Sequence, residues 1–182
     1  MRQPIIRREF LRRAAALVGA IPAASRIARA SVPVSRSIQL RNIHTDEVLH
    51  TTFQDANGFL PEALKKLQHL LRDYRTGEEH EIDCGLYVQL CDLAQTAGRE
   101  PRYEVISGYR SPATNSMLHA TGHGVAEHSL HMQGHAIDVR LRGYDLASLH
   151  ELALAAGRGG VGYYPQSNFI HLDTGRVRRW TG

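Results

Sequence analysis

At 182 residues, with 42% apolar and 22% charged side chains, the chain has the composition of one globular domain that can bury its own core, which excludes a collagenous, low-complexity or disordered protein. No apolar run reaches the ~18 residues of a membrane-spanning helix, so none is expected. The net charge of +4 is concentrated at one end: residues 1–30 hold seven arginines and one acid, and the remainder carries 15 basic against 17 acidic residues, net −2, which gives no reason to expect a nucleic-acid partner.

Arg7-Arg8-Glu9-Phe10-Leu11 has the twin-arginine pattern. A mildly apolar stretch from Ala14 to Ile21 follows, and Ala28-Arg29-Ala30 offers a small-x-small cleavage site. Residues 1–30 are therefore expected to be a twin-arginine signal, cut after Ala30, that delivers the protein to the periplasm. Residues 31–37 read as a linker and 38–182 as one domain, expected to act as a monomer.

Ile38 to Ile43 alternates apolar and polar residues as a half-buried strand does, and Glu47 to Phe53 can pair back with it. Leu60, Leu64, Leu67 and Leu71 mark the apolar stripe of a helix from Pro61 to about Asp73. A second helix starts at an Asp83 N-cap and buries Leu86, Leu90, Leu93 and Ala97. Cys84 and Cys91 lie seven apart on it, about 10 Å along the axis, too far for a disulfide, so buried thiols are expected. Tyr103 to Ser107 is a strand. Residues 108–130, rich in Gly, Ser, Asn and His, read as a functional loop with a short helix after Pro112. Ala136 to Leu141 is another strand, Asp145 caps a helix that Gly157 ends, and Gly159–Tyr163 with Asn168–Asp173 make a closing hairpin. The elements segregate rather than alternate, so the expected class is α+β, a small antiparallel sheet with flanking helices.

Eleven histidines are present, so chance patterns must be weighed. In Phe169-Ile170-His171-Leu172-Asp173, period two puts His171 and Asp173 on the face opposite Ile170 and Leu172. The same rule turns Asp138 away from Ile137 and Val139. His131, joined to that strand through Gly134, can fold over the same spot. Two imidazoles and a carboxylate suit zinc, and three protein ligands keep a fourth position open for water, the catalytic arrangement. From spacing alone, hydrogen-bonded structural histidines beside a buried Asp138 fit equally well.

Ser129-Leu130-His131-Met132-Gln133-Gly134-His135-Ala136-Ile137-Asp138 resembles the S-x-H-x-x-G-x-A-x-D motif of zinc D-Ala-D-Ala peptidases, in the lysostaphin, D-Ala-D-Ala-peptidase and hedgehog group. With Ser107-Gly108-Tyr109-Arg110-Ser111-Pro112 and the stretch from Gly159 to Gly175, the chain is similar to the murein endopeptidase K-like family, exported by the twin-arginine route and once filed as a domain of unknown function. The resemblance covers Ile38 to Trp180 and implies a hedgehog or D-Ala-D-Ala-peptidase-like architecture. It implies one zinc ion held by His131, Asp138 and His171, with Ser129 touching substrate backbone and Arg110 holding a substrate carboxylate. The implied substrate is a peptidoglycan cross-link, notably one between two diaminopimelate residues.

One departure stands out. The wider group often has a His or Glu just before the third ligand, where this chain has Asn168 and Phe169. Asp173 is therefore the candidate general base, with His128 or Glu127 in reserve; a competing register makes Asp173 the ligand and His171 the catalytic residue. A carboxypeptidase trimming stem peptides, or an inactive peptidoglycan-binding module, are the rival readings.

Overall fold

The structure is a computed structural model that describes residues 35–121 and 126–182. The expected signal segment, its cleavage after Ala30 and His123 lie outside the described residues. The elements are β1 (Arg36–Asn42), β2 (Val48–Asp55), β3 (Gly58–Phe59), α1 (Pro61–Leu70), α2 (Cys84–Thr96), β4 (Arg102–Ser107), α3 (Pro112–Ala120), a 3-10 turn (Leu130–Gln133), β5 (Ala136–Leu141), α4 (Leu146–Ala156), β6 (Gly160–Tyr164), β7 (Phe169–Asp173) and β8 (Arg178–Thr181).

All the strands join one eight-stranded sheet in the order β3-β2-β1-β4-β5-β7-β6-β8. The sheet is larger than expected and is mixed rather than antiparallel. β1 runs parallel to β4, because α1 and α2 carry the chain back across the sheet before β4 begins. β8 runs parallel to β6 on the outer edge. Its sequence, Arg178-Arg179-Trp180-Thr181, has no apolar alternation, so periodicity does not reveal it. β1 also takes in Arg36 and Ser37 from the stretch read as linker, and Ser37 Oγ lies 2.8 Å from Thr52 Oγ1 across the β1–β2 pair.

α2 lies against α4 and against β1 and β5, while α4 covers β5, β6 and β7. Their inward faces supply Leu86, Leu90, Leu93, Leu149 and Ala153 to the core, where they meet Ile137, Val139, Ile170 and Leu172 of the central strands. Each such side chain is worth about 1.5–3 kcal/mol when fully buried. The caps follow the side-chain chemistry: Asp83 accepts from Gly85 N, and Asp145 accepts from Ser148 N. Cys84 and Cys91 are both free thiols, and burial pushes Cys91 up to about 11.

The 3-10 turn ends at Gly134, whose φ of +69° reverses the chain into β5. Its carbonyl accepts from Asp83 N at 3.0 Å, and a Cβ there would collide with the carbonyl oxygen of Glu81. Gly157 has a similar φ of +59° but open space around it. Gly157→Ala is therefore expected to cost only the left-handed strain, about 1–2 kcal/mol. Gly134→Ala adds the collision, for a total of about 3–5 kcal/mol and a Tm lowered by roughly 10 °C. Thermal unfolding followed by circular dichroism checks this; equal losses for the two variants would refute the close-packing argument.

Candidate metal centre

β5 and β7 pair in a register that sets Asp138 directly opposite His171. Neighbouring residues on each strand, Ile137 and Val139, Ile170 and Leu172, face the core, so the two polar side chains share the other face. His131 arrives from the 3-10 turn, which Ser129 caps by accepting from His131 N at 3.3 Å. Three donor atoms then form a near-regular triangle. His131 Nε2 is 3.2 Å from Asp138 Oδ1 and 3.1 Å from His171 Nδ1, and His171 Nδ1 is 2.9 Å from Asp138 Oδ1. A tetrahedral ion with bonds of ~2.0–2.1 Å has ligand–ligand edges of roughly 3.3 Å, so the triangle fits one face of such a site with little adjustment. All three residues are buried, at 2%, 6% and 8% exposure, and they could hold a metal ion.

The remaining ring nitrogens are also engaged. His131 Nδ1 donates to the carbonyl of Gly108 at 2.7 Å, and His171 Nε2 donates to Asp173 Oδ2 at 3.1 Å. Each bond fixes the tautomer of the neutral ring, so the inward nitrogen is the one that offers a lone pair once no proton sits on it, as outer partners of metal-binding imidazoles arrange.

Asp173, the expected general base, has its carboxylate engaged on every side. Asp173 is fully buried behind His171, and it does not line the cavity. Its Oδ1 accepts from Gly160 N at 2.8 Å, Gly175 N at 2.9 Å and Arg178 Nη1 at 3.1 Å; its Oδ2 takes His171 Nε2 and, at 2.7 Å, Arg178 Nη2. Burial favours its protonation, but His171, these N–H groups and Arg178 outweigh that and hold it well below the usual carboxylate range. Gly160 permits the packing, since a Cβ there would run into the carboxylate. The competing register, with Asp173 as ligand, requires the carboxylate to give up these same partners. His171 and Asp173 share a strand face, as expected, and Arg178, five residues beyond Asp173, completes the carboxylate's set of partners.

The triangle forms part of the wall of an open cavity of about 300 Å³. Arg110 enters it with loosely held nitrogens: Asn115 Oδ1 and Ser107 Oγ at 3.5 Å, Asp138 Oδ2 at 3.8 Å, and a buried Nε without a partner among the described residues. Burial pulls the guanidinium below its ordinary value, and Asp138 only partly offsets this. The chain around Arg110 is pinned from two sides. Arg110 N donates to the His131 carbonyl at 3.2 Å, and the buried Asp73 carboxylate accepts from Ser111 N at 2.9 Å. Ser129 and the exposed His128 also line the cavity, as do Tyr164 and Trp180. Other aromatics and histidines are elsewhere: Tyr109 stacks on His80, Tyr163 on His150, and His135 bonds Asp83 and Thr174.

Within the triangle, burial pulls both rings down. His131 stays below its ordinary value, whereas the Asp138 and Asp173 carboxylates on either side of His171 override burial and push it up to about 9. Asp138, despite burial, is held low by the two rings.

The model of the family described as peptidoglycan L,D-endopeptidase MepK, an M15 peptidase group, matches residues 30–180. The peptidoglycan L,D-endopeptidase MepK of Escherichia coli K12 is 43% identical over 165 residues, 91% of each chain. A probable peptidoglycan L,D-endopeptidase MepK of Haemophilus influenzae is 45% identical over 157 residues, 86% of this chain and 84% of that one. No solved structure matches significantly.

With His171 raised to about 9, the metal-free cluster carries a proton on that ring at pH 7, and an entering ion must displace it. Zinc titration by calorimetry in buffers of different ionisation enthalpy should therefore show about one proton released per ion at pH 7, fading as pH rises past about 9. Asp173→Asn should weaken zinc binding roughly 10- to 100-fold in a chelator competition. Unchanged affinity would remove Asp173 from the site.

Proposed function

Because the chain belongs to the family of the peptidoglycan L,D-endopeptidase MepK, we propose that it is an exported zinc peptidase that hydrolyses peptide cross-links in peptidoglycan, including those between two diaminopimelate residues. The observation that carries this reading is the buried triangle of His131 Nε2, Asp138 Oδ1 and His171 Nδ1, open on one side to the cavity that Arg110 enters. Zinc held there would polarise the scissile carbonyl and acidify a water molecule.

The chain's own residues supply the rest. Arg110, short of partners, binds a stem-peptide carboxylate through its bidentate fork. Ser129 uses its lone pair to cap the 3-10 turn, and its hydroxyl hydrogen remains to hold substrate backbone. With Asp173 committed to His171, His128 takes over proton transfer. Its exposed imidazole lines the cavity and, among the described residues, engages no partner. A nitrogen there can accept the water's proton and return it to the leaving amine. The twin-arginine segment, removed after Ala30, delivers the domain to the periplasm, where the wall is.

Digestion of purified cross-linked muropeptides followed by mass analysis tests the reading. Dimers should disappear and monomers accumulate, whereas trimming of a terminal residue leaves dimers linked. Protein that merely pellets with sacculi and releases nothing, with zinc supplied, would sink the enzyme. Arg110→Ala should raise KM roughly 10- to 100-fold, the worth of a charge-assisted bidentate contact of about 1.5–3 kcal/mol, with a smaller effect on kcat.

A further inference from the structure

β8 brings Trp180 to the cavity beside Tyr164, the last residue of β6, and the steps above use neither aromatic side chain. The Trp180 indole lies against the backbone of Gly162, where a Cβ would stand 2.6 Å from indole Cε2. It also tilts over the His171 ring, with centroids 5.1 Å apart, and the Arg178 guanidinium lies 5.1 Å from its centroid. Packed in this way, the indole directs its N–H at the hydroxyl oxygen of Tyr164, 2.8 Å away.

An indole nitrogen can only donate. Tyr164 is therefore the acceptor in this bond, and its own hydroxyl hydrogen is spare; no described group receives it. The Tyr164 ring is held as well, stacked on Phe169 at 4.5 Å with the planes 16° apart. The result is a phenol with one lone pair occupied, its ring immobilised and its donor unspent. It lines the same cavity as the His131–Asp138–His171 triangle and Arg110.

We infer that Tyr164 donates this hydrogen bond to the carbonyl oxygen of the scissile amide as that oxygen gathers negative charge, and that Trp180 is the positioning residue that fixes its direction. The inference rests on the peptidase reading above and adds a catalytic residue to it. No proton is transferred in this contact; the hydrogen stays on the phenol oxygen throughout. The bond strengthens as its acceptor changes from a neutral carbonyl to an oxyanion, so it favours the transition state over bound substrate. Its loss is accordingly read in kcat rather than KM.

The test compares wild type, Tyr164→Phe and Trp180→Phe, each loaded with zinc, on a purified cross-linked dimer. A phosphinate isostere of the cross-link is titrated in parallel as an oxyanion mimic. Tyr164→Phe should lose roughly 10²- to 10³-fold in kcat, with KM within about threefold. It should bind the phosphinate weaker by a comparable factor and keep the zinc content and Tm of wild type. Trp180→Phe, which keeps a ring but not the donor, should fall about tenfold in kcat. A Tyr164→Phe variant with wild-type kcat and phosphinate affinity, or with its loss confined to KM, overturns the role of Tyr164 while leaving the peptidase intact. Zinc-loaded wild type that cleaves no dimer overturns the peptidase reading itself, and the tyrosine's role with it.

Discussion

The antiparallel register of β5 against β7 is the constraint on which the site depends. It places Asp138 opposite His171, and a slip of one residue would turn either side chain into the core. What prevents the slip is hydrophobic burial. Ile137, Val139, Ile170 and Leu172 are all essentially inaccessible to solvent, beneath helices α2 and α4. Exchanging them for a carboxylate and an imidazole would forfeit several kcal/mol of apolar burial and leave polar groups unpaired. The force that folds the sheet is thus the same one that assembles the polar cluster on its other face.

A cluster of this kind is costly in isolation. Two rings and a carboxylate leave water together, and the cost is offset only because each polar atom has a partner. Gly108 supplies a carbonyl to His131, and Asp173 supplies a carboxylate to His171. Asp173 is in turn satisfied by Arg178 and by the N–H groups of Gly160 and Gly175. The chain of contacts ends at the sheet edge, in β8, where Arg178 is partly exposed. Further from the centre, Asp73 performs a similar service for the loop that carries Arg110, accepting from Ser111 N and from Arg75 N.

Much of this was legible in the sequence for local reasons. Period-two alternation identifies β5 and β7, and an Asp before an apolar helical stripe identifies the starts of α2 and α4. Strand faces joined by a flexible glycine allow positions 131, 138 and 171 to converge, and the S-x-H-x-x-G-x-A-x-D resemblance is what implies that they do. What escaped was non-local. β8 joins β6 by a parallel pairing that leaves no pattern in its own four residues. Without Arg178 in view, the carboxylate of Asp173 looks free to work as a base; with it, the group is fully engaged. Trp180 and Tyr164 could be placed as core or cleft wall only once the sheet edge was known. The parallel β1–β4 pair, which makes the sheet mixed, depends on a crossover through two helices that local periodicity does not specify.

The two imidazoles face their common point through different atoms, His131 through Nε2 and His171 through Nδ1. They are therefore not equivalent positions for redesign. A glutamine amide extends about as far as Nε2 and an asparagine amide about as far as Nδ1, so a neutral isostere suited to one position is a methylene too long or too short at the other. Any attempt to retune ion preference here by swapping ligands must treat the long-armed and the short-armed histidine as separate problems, each with its own side-chain length.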